Sequence, residues 1–156
     1  MSDIKFIVES SIEKRNVFHS ERDFQLALGL CLMKKFGDNV RLEYPLTRAN
    51  NKNEYCDIVC AGFNRVGIEL KYKTASLSES INGEDYHLKH QGAQDCGRYD
   101  FLRDVLRLEQ WVSSGKIDVG YAVLLTNNKS YWLPEKEGST AADLAFRLSD
   151  GRVVLD

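Results

Sequence analysis

The spacing of apolar residues divides the chain into short, regular elements. Ile4, Ile7, Val8 and Ile12 fall on one face of a short N-terminal helix that Asp3 can cap. A second helix begins after Ser20, with Asp23 three residues on in a variant of the capping box. Its stripe is Phe24, Ala27, Leu28, Cys31 and Leu32, and Gly37 follows Lys34 and Lys35 at the stop position.

Three strands are expected next. Arg41 to Tyr44 is the first, ended by Pro45, and a polar loop from Arg48 to Asn53 leads to Tyr55–Cys60. A turn around Gly62-Phe63-Asn64 returns the chain as Arg65 to Lys73. There Val66, Ile68, Leu70 and Tyr72 take one face, and Gly67, Glu69, Lys71 and Lys73 the other. Residues 74–96 lack a regular pattern, although Asn82-Gly83 is a hairpin-turn signal. A loop of that length is often a lid or a binding loop.

A third helix spans about Gly97 to Ser113, with Phe101, Val105, Leu108 and Val112 as its stripe. Val119 to Leu125 is almost continuously apolar, so a strand buried on both faces is expected. Asn127-Asn128 turns the chain into Tyr131-Trp132-Leu133. A last helix from Thr140, striped by Ala141, Leu144, Ala145 and Leu148, and a final strand Val153–Leu155 complete a C-terminal hairpin/helix extension.

Composition narrows the functions open to such a chain. Its 156 residues form a single domain, 1–156, with the core at about 20–125. The 21 Lys+Arg against 23 Asp+Glu give a net charge of −2, so a general positive coat for nucleic acid is absent and any such contact needs a local patch. No apolar run approaches the roughly 18–20 residues of a membrane span. The start lacks a secretory apolar stretch, so the cytoplasm is the default location. Cys31, Cys56, Cys60 and Cys96 form no C-x-x-C pair, which argues against a disulfide scaffold or zinc site.

One polar set stands out: Glu21, Asp57, Glu69 and Lys71. Taken singly, each has a plain explanation. Asp57 fits the polar face of an edge strand, Glu69 and Lys71 a solvated pair, and Glu21 an acid favoured by the helix dipole. Register joins them. A hairpin centred on Phe63 places Asp57 opposite Glu69, with Cβ atoms roughly 4.5–5.5 Å apart. Like charges in that position call for something positive between them, and a divalent cation is the economical answer. Glu21 extends the apolar stripe that faces the sheet, so its charge also needs a partner. Only Lys71 offsets these acids in this reading.

Other polar residues carry less. Gln25, four after Glu21, can reach the same site or solvent, and Lys73 continues the Glu69/Lys71 face. Arg98, Arg103 and Arg107 interleave with Asp100, Asp104 and Glu109 as a balanced solvated face. His87 and His90 read as loop polarity.

Asp57, Glu69-Leu70-Lys71 twelve residues later, the upstream Glu21 and the αβββαβ order together resemble the PD-(D/E)XK nuclease superfamily. Cys56 stands where that motif has proline, and the chain from Tyr131 to Asp156 lies outside the common core. The resemblance implies a restriction-endonuclease-like α/β fold, a mixed sheet flanked by helices. It implies a Mg²⁺- or Mn²⁺-dependent endo- or exonuclease that hydrolyses phosphodiester bonds in DNA. Glu21, Asp57, Glu69 and the backbone carbonyl of Leu70 would hold the metal, and Lys71 would attend the attacking water. A homodimer or a separate targeting partner would complete DNA recognition and double-strand cutting. The alternative is a catalytically silent module of the same fold that binds nucleic acid or a protein partner.

Overall fold

A computed structural model describes residues 2–47, 53–62, 64–134, 138 and 140–148. Its elements are α1 (Ser2–Lys14), α2 (Glu21–Phe36), β1 (Val40–Thr47), β2 (Asn53–Cys60), β3 (Val66–Lys73), β4 (Leu77–Ile81), β5 (Glu84–Leu88), α3 (Gln94–Ser113) and β6 (Val119–Thr126). The chain is α/β. A four-stranded mixed sheet runs β1-β2-β3-β6, antiparallel except for the β3/β6 pair, and helices flank it.

The second helix forms as its caps dictate. Ser20 is extended and its hydroxyl accepts from the Asp23 N–H at 3.2 Å, while Gly37 at φ +57° ends the helix. Phe24, Leu28 and Leu32 are fully buried against Ile58, Ile68 and Leu70, which makes this face of the sheet an apolar layer. The opposite face carries a smaller cluster, Leu46, Cys56, Val59, Leu108, Trp111 and Ile117, under α3.

The approach of α3 depends on two glycines placed side by side. Gly67 and Gly120 are register partners on β3 and β6. A Cβ on Gly120 would lie 2.9 Å from the Leu108 Cβ, and one on Gly67 would lie 2.8 Å from the Ile117 Cδ1. This smooth patch lets the helix backbone come down onto the sheet, next to Glu69 and Lys71.

Several expectations need correction. The first strand does not stop at Pro45; it continues to Thr47, which an edge strand tolerates because outward N–H groups need no ladder partner. Residues 77–88 form a hairpin, with Asn82 and Gly83 both at positive φ and Tyr86 and Leu88 buried on one face. β6 is half-buried along its whole length, because among the described residues it is the sheet's other edge.

The stripe of α3 is rotated from the expected one. Arg98, Asp104, Leu108 and Trp111 point inward, and Val112 is exposed. Tyr131 lies at the end of a 3-10 turn, Lys129–Tyr131, because the Asn128 side chain accepts from the Ser130 N–H. Instead of a helix from Thr140 there is only a 3-10 turn at Leu144–Phe146, since Asp143 turns inward to Arg98 and Arg147. Residues 48–52, Phe63 and the expected strand Val153–Leu155 lie outside the described residues.

Candidate active site

The site is built where the sheet's ladder opens around Asp57. β2 and β3 pair from Cys60↔Val66 to Ile58↔Ile68, which is the expected register, and the pairing stops one step short of Asp57. On the other side β1 pairs at Leu42↔Ile58 and Tyr44↔Cys56 and skips the level between them. There Glu43 sits at φ +49°, a left-handed conformation uncommon for a residue with a side chain.

Side chains take over the lost backbone bonds. The Leu70 N–H donates to Asp57 Oδ2 at 2.6 Å, so the carboxylate stands in for a strand partner. The Gln25 Nε2 donates to the Asp57 carbonyl at 2.7 Å and to Glu43 Oε1 at 3.0 Å. One step further along β3, the Tyr72 N–H donates to Glu21 Oε2 at 2.8 Å. Glu21 does face the sheet, and its partner there is the strand's own backbone.

Glu69 and Lys71 share the face covered by α3. Glu69 is 2% exposed. Its Oε2 accepts from Arg107 Nη2 at 2.6 Å, and the same nitrogen reaches Asp104 Oδ1 at 2.8 Å. Asp104 Oδ2 lies 2.8 Å from the Lys71 ammonium. The result is a chain of four alternating acidic and basic groups: Glu69, Arg107, Asp104, Lys71. Among the described residues, the buried Glu69 Oε1 finds no hydrogen-bond partner.

Lys71 is therefore not the only positive charge near these acids. Arg107 and Asp104 belong to the site, not to a solvated helix face, and Arg98 is buried on Asp143 at the far end of α3. Sequence reasoning missed them by choosing an aliphatic stripe. The available signal was complementarity: Asp104 and Arg107, three apart, match Lys71 and Glu69, two apart on a strand.

Burial dominates the ionisation of these groups. It pushes the Glu69 carboxyl up to about 8, the nearby Asp57 charge adds to the rise, and Arg107 opposes it. Burial also raises Asp57, against the Leu70 N–H and the Lys71 charge, which favour its ionised form. Lys71 is the reverse case. Burial acts to lower its value, but the hydrogen bond and charge of Asp104 outweigh it, so Lys71 stays above the ordinary lysine range. At neutral pH it is an ammonium, suited to orienting and neutralising anionic oxygens and not to removing a proton.

The fourfold set is thus gathered around residues 69–72 of β3, with one oxygen of each carboxylate bound to a protein donor. Among the described residues, no three His, Cys, Asp or Glu side chains stand together as a ready-made cation cage. No helix among them is long and apolar enough to cross a membrane. Comparison with protein-family models, with curated proteins and with solved structures finds no match to this chain.

Proposed function

We propose that the chain has a restriction-endonuclease-like fold and is a divalent-metal-dependent nuclease that hydrolyses phosphodiester bonds in DNA. With the β4–β5 hairpin set between β3 and α3, the order α2-β1-β2-β3-α3-β6 supports an αβββαβ core of that kind. The observation that carries the reading is Glu69 Oε1, a buried carboxylate oxygen with no partner among the described residues, between Asp57 and Lys71 in the pattern that the motif requires. A hard cation wants such oxygens.

Carboxylate and carbonyl oxygens are the donor type that a Mg²⁺ or Mn²⁺ ion takes. Glu69, Asp57 and Glu21 each commit one carboxylate oxygen to the protein, and with the Leu70 carbonyl they are the residues that would hold it. Once bound, the ion would act as a Lewis acid on the scissile phosphate and lower the pKa of bound water. The chain's own residues do the rest. Asp57 is fixed by the Leu70 N–H and by Gln25 behind its carbonyl, so its position is set before substrate arrives. Lys71, held charged by Asp104, offers an ammonium to the phosphate oxygens and the incoming water. With a net charge of −2, a homodimer or targeting partner would supply the remaining DNA contacts.

The test is nicking of supercoiled plasmid by the purified chain in millimolar Mg²⁺ or Mn²⁺. Cleavage abolished by chelation and by Asp57→Asn supports the reading. Intact substrate across single- and double-stranded DNA and RNA rejects it. The Glu69–Arg107 and Lys71–Asp104 pairs favour a second reading, a silent module that binds nucleic acid without turnover. Retention of DNA on the chain with no cleavage under any metal selects that one.

A further inference from the structure

Arg107 makes an incomplete pair with Glu69. A guanidinium facing a buried carboxylate commonly uses two nitrogens in a fork. Here Nη2 serves both Glu69 Oε2 and Asp104 Oδ1, while among the described residues the buried Arg107 Nε has no hydrogen-bond partner, nor has Glu69 Oε1. The pair neutralises charge without saturating either group.

The surroundings allow Arg107 to leave. Its guanidinium carbon lies 5.4 Å from the centre of the Trp111 ring, and the side chain borders a polar cavity of about 250 Å³ shared with Glu54, Lys71, Arg103 and Asp104. One single-nitrogen contact to Glu69 has to break for it to swing into that cavity. It would keep Asp104 as a neighbour there.

We infer that Arg107 is a positioning residue that holds the cation's place at Glu69 in the metal-free protein and yields it when a divalent cation enters. The inference rests on the metal site proposed above. A buried acid with no counter-charge is costly, so a resident guanidinium keeps the empty site folded. Because it binds through one nitrogen and leaves Oε1 open, a cation can displace it. The freed charge then joins Lys71 and Arg103 on the wall of the cavity, which Glu54, Asp100 and Asp104 also line.

Mn²⁺ alone is the probe, added to the full chain carrying Trp132→Phe so that Trp111 is the sole tryptophan. Free Mn²⁺ is followed by its electron paramagnetic resonance signal at pH 8, and Trp111 emission is read in the same titration. Arg107→Gln removes the competing charge and should bind Mn²⁺ about tenfold more tightly than the parent, the low end of coupling for close charge pairs. In the parent, Trp111 emission should change along the Mn²⁺ binding curve as the guanidinium leaves the ring. In Arg107→Gln it should stay flat. Equal affinity in the two proteins, or parent emission that is flat through saturation, overturns the inference while leaving the metal site standing. No Mn²⁺ bound by either protein overturns both. If circular dichroism shows Arg107→Gln unfolded, the parent's emission titration decides alone.

Discussion

Two arginine–carboxylate pairs in this chain share their chemistry and differ in geometry and burial. Arg15 meets Asp23 with a full fork, Nη1 to Oδ1 at 2.9 Å and Nη2 to Oδ2 at 2.7 Å, and both side chains keep a quarter or more of their surface in water. Around it His19 stacks on Tyr86 and bonds Glu84, which ties the α1–α2 link to the β4–β5 hairpin. Arg107 meets Glu69 through one nitrogen, against a carboxylate with 1% of its side chain exposed, and both partners keep an orphaned polar atom. The first pair is what a fold does with charges used as a clasp. The second accepts poor hydrogen bonding in a buried place, as Arg98 and Asp143 also do, but it does so beside Asp57 and Lys71.

The comparison is broken most directly by activity. Lys71→Met keeps the aliphatic stem and removes the ammonium. It should lower metal-dependent plasmid nicking by about a hundredfold, the scale of one electrostatic group at a reacting phosphate. Arg15→Met should leave nicking unchanged. Equal rates for Lys71→Met and the parent would remove Lys71 from the chemistry.

Stability is the next lever. Above the Glu69 value, at pH 8.5, Arg107→Ala leaves a buried carboxylate without its counter-charge and should cost about 3 kcal/mol by urea denaturation. Arg15→Ala breaks a half-exposed pair and should cost about 1 kcal/mol or less. Similar costs for the two would erase the distinction between clasp and buried site.

What was legible in the sequence follows the same divide. The caps of α2 at Ser20 and Gly37, and the register that sets Ile58 against Ile68, are local or nearly local events that spacing can read. Glu21, Asp57, Glu69 and Lys71 were visible because acids in apolar elements break the pattern. Arg107 and Asp104 were not, since a polar side chain on a long amphipathic helix reads as solvated until its distant partner is known. Nor was the open ladder at Asp57, whose cause is side-chain bonding by Gln25 and by Asp57 itself. The C-terminal helix failed for a similar reason, because Asp143, in what would be the first turn after Thr140, is held by Arg98 from 45 residues away.

A change far from any charge sharpens the point. Gly120 lies under Leu108, and a side chain there pushes α3 off β6. Gly120→Val should cost about 1–3 kcal/mol by overpacking. It should also weaken nicking, since Asp104 and Arg107 ride on the displaced helix. Full activity together with a normal denaturation midpoint would mean that the close approach of α3 is unimportant.

The smallest effect is the most discriminating, because the two regions should respond to pH with opposite sign. In metal-free protein the Glu69 carboxyl titrates near 8, above its ordinary value of 4.5, chiefly through burial. A folded-state value raised in this way gives stability that is complete below the unfolded value and is lost as pH rises through the folded one. Relative to Glu69→Gln, the parent should therefore lose stability between about pH 5 and 8.5 in a chelating buffer. Glu84 moves the other way: first the Tyr86 hydroxyl, then His19, hold its carboxylate below the usual range. Its contribution is present above the unfolded value and is lost as pH falls through the lowered one, so Glu84→Gln should differ from the parent at neutral and higher pH and converge with it in acid. Urea midpoints of the parent and both variants at half-unit pH steps decide it. A parent that gains on Glu69→Gln as pH rises would mean that the Glu69 carboxylate is as well paired as that of Glu84, and the argument for an open oxygen awaiting a cation would go with it.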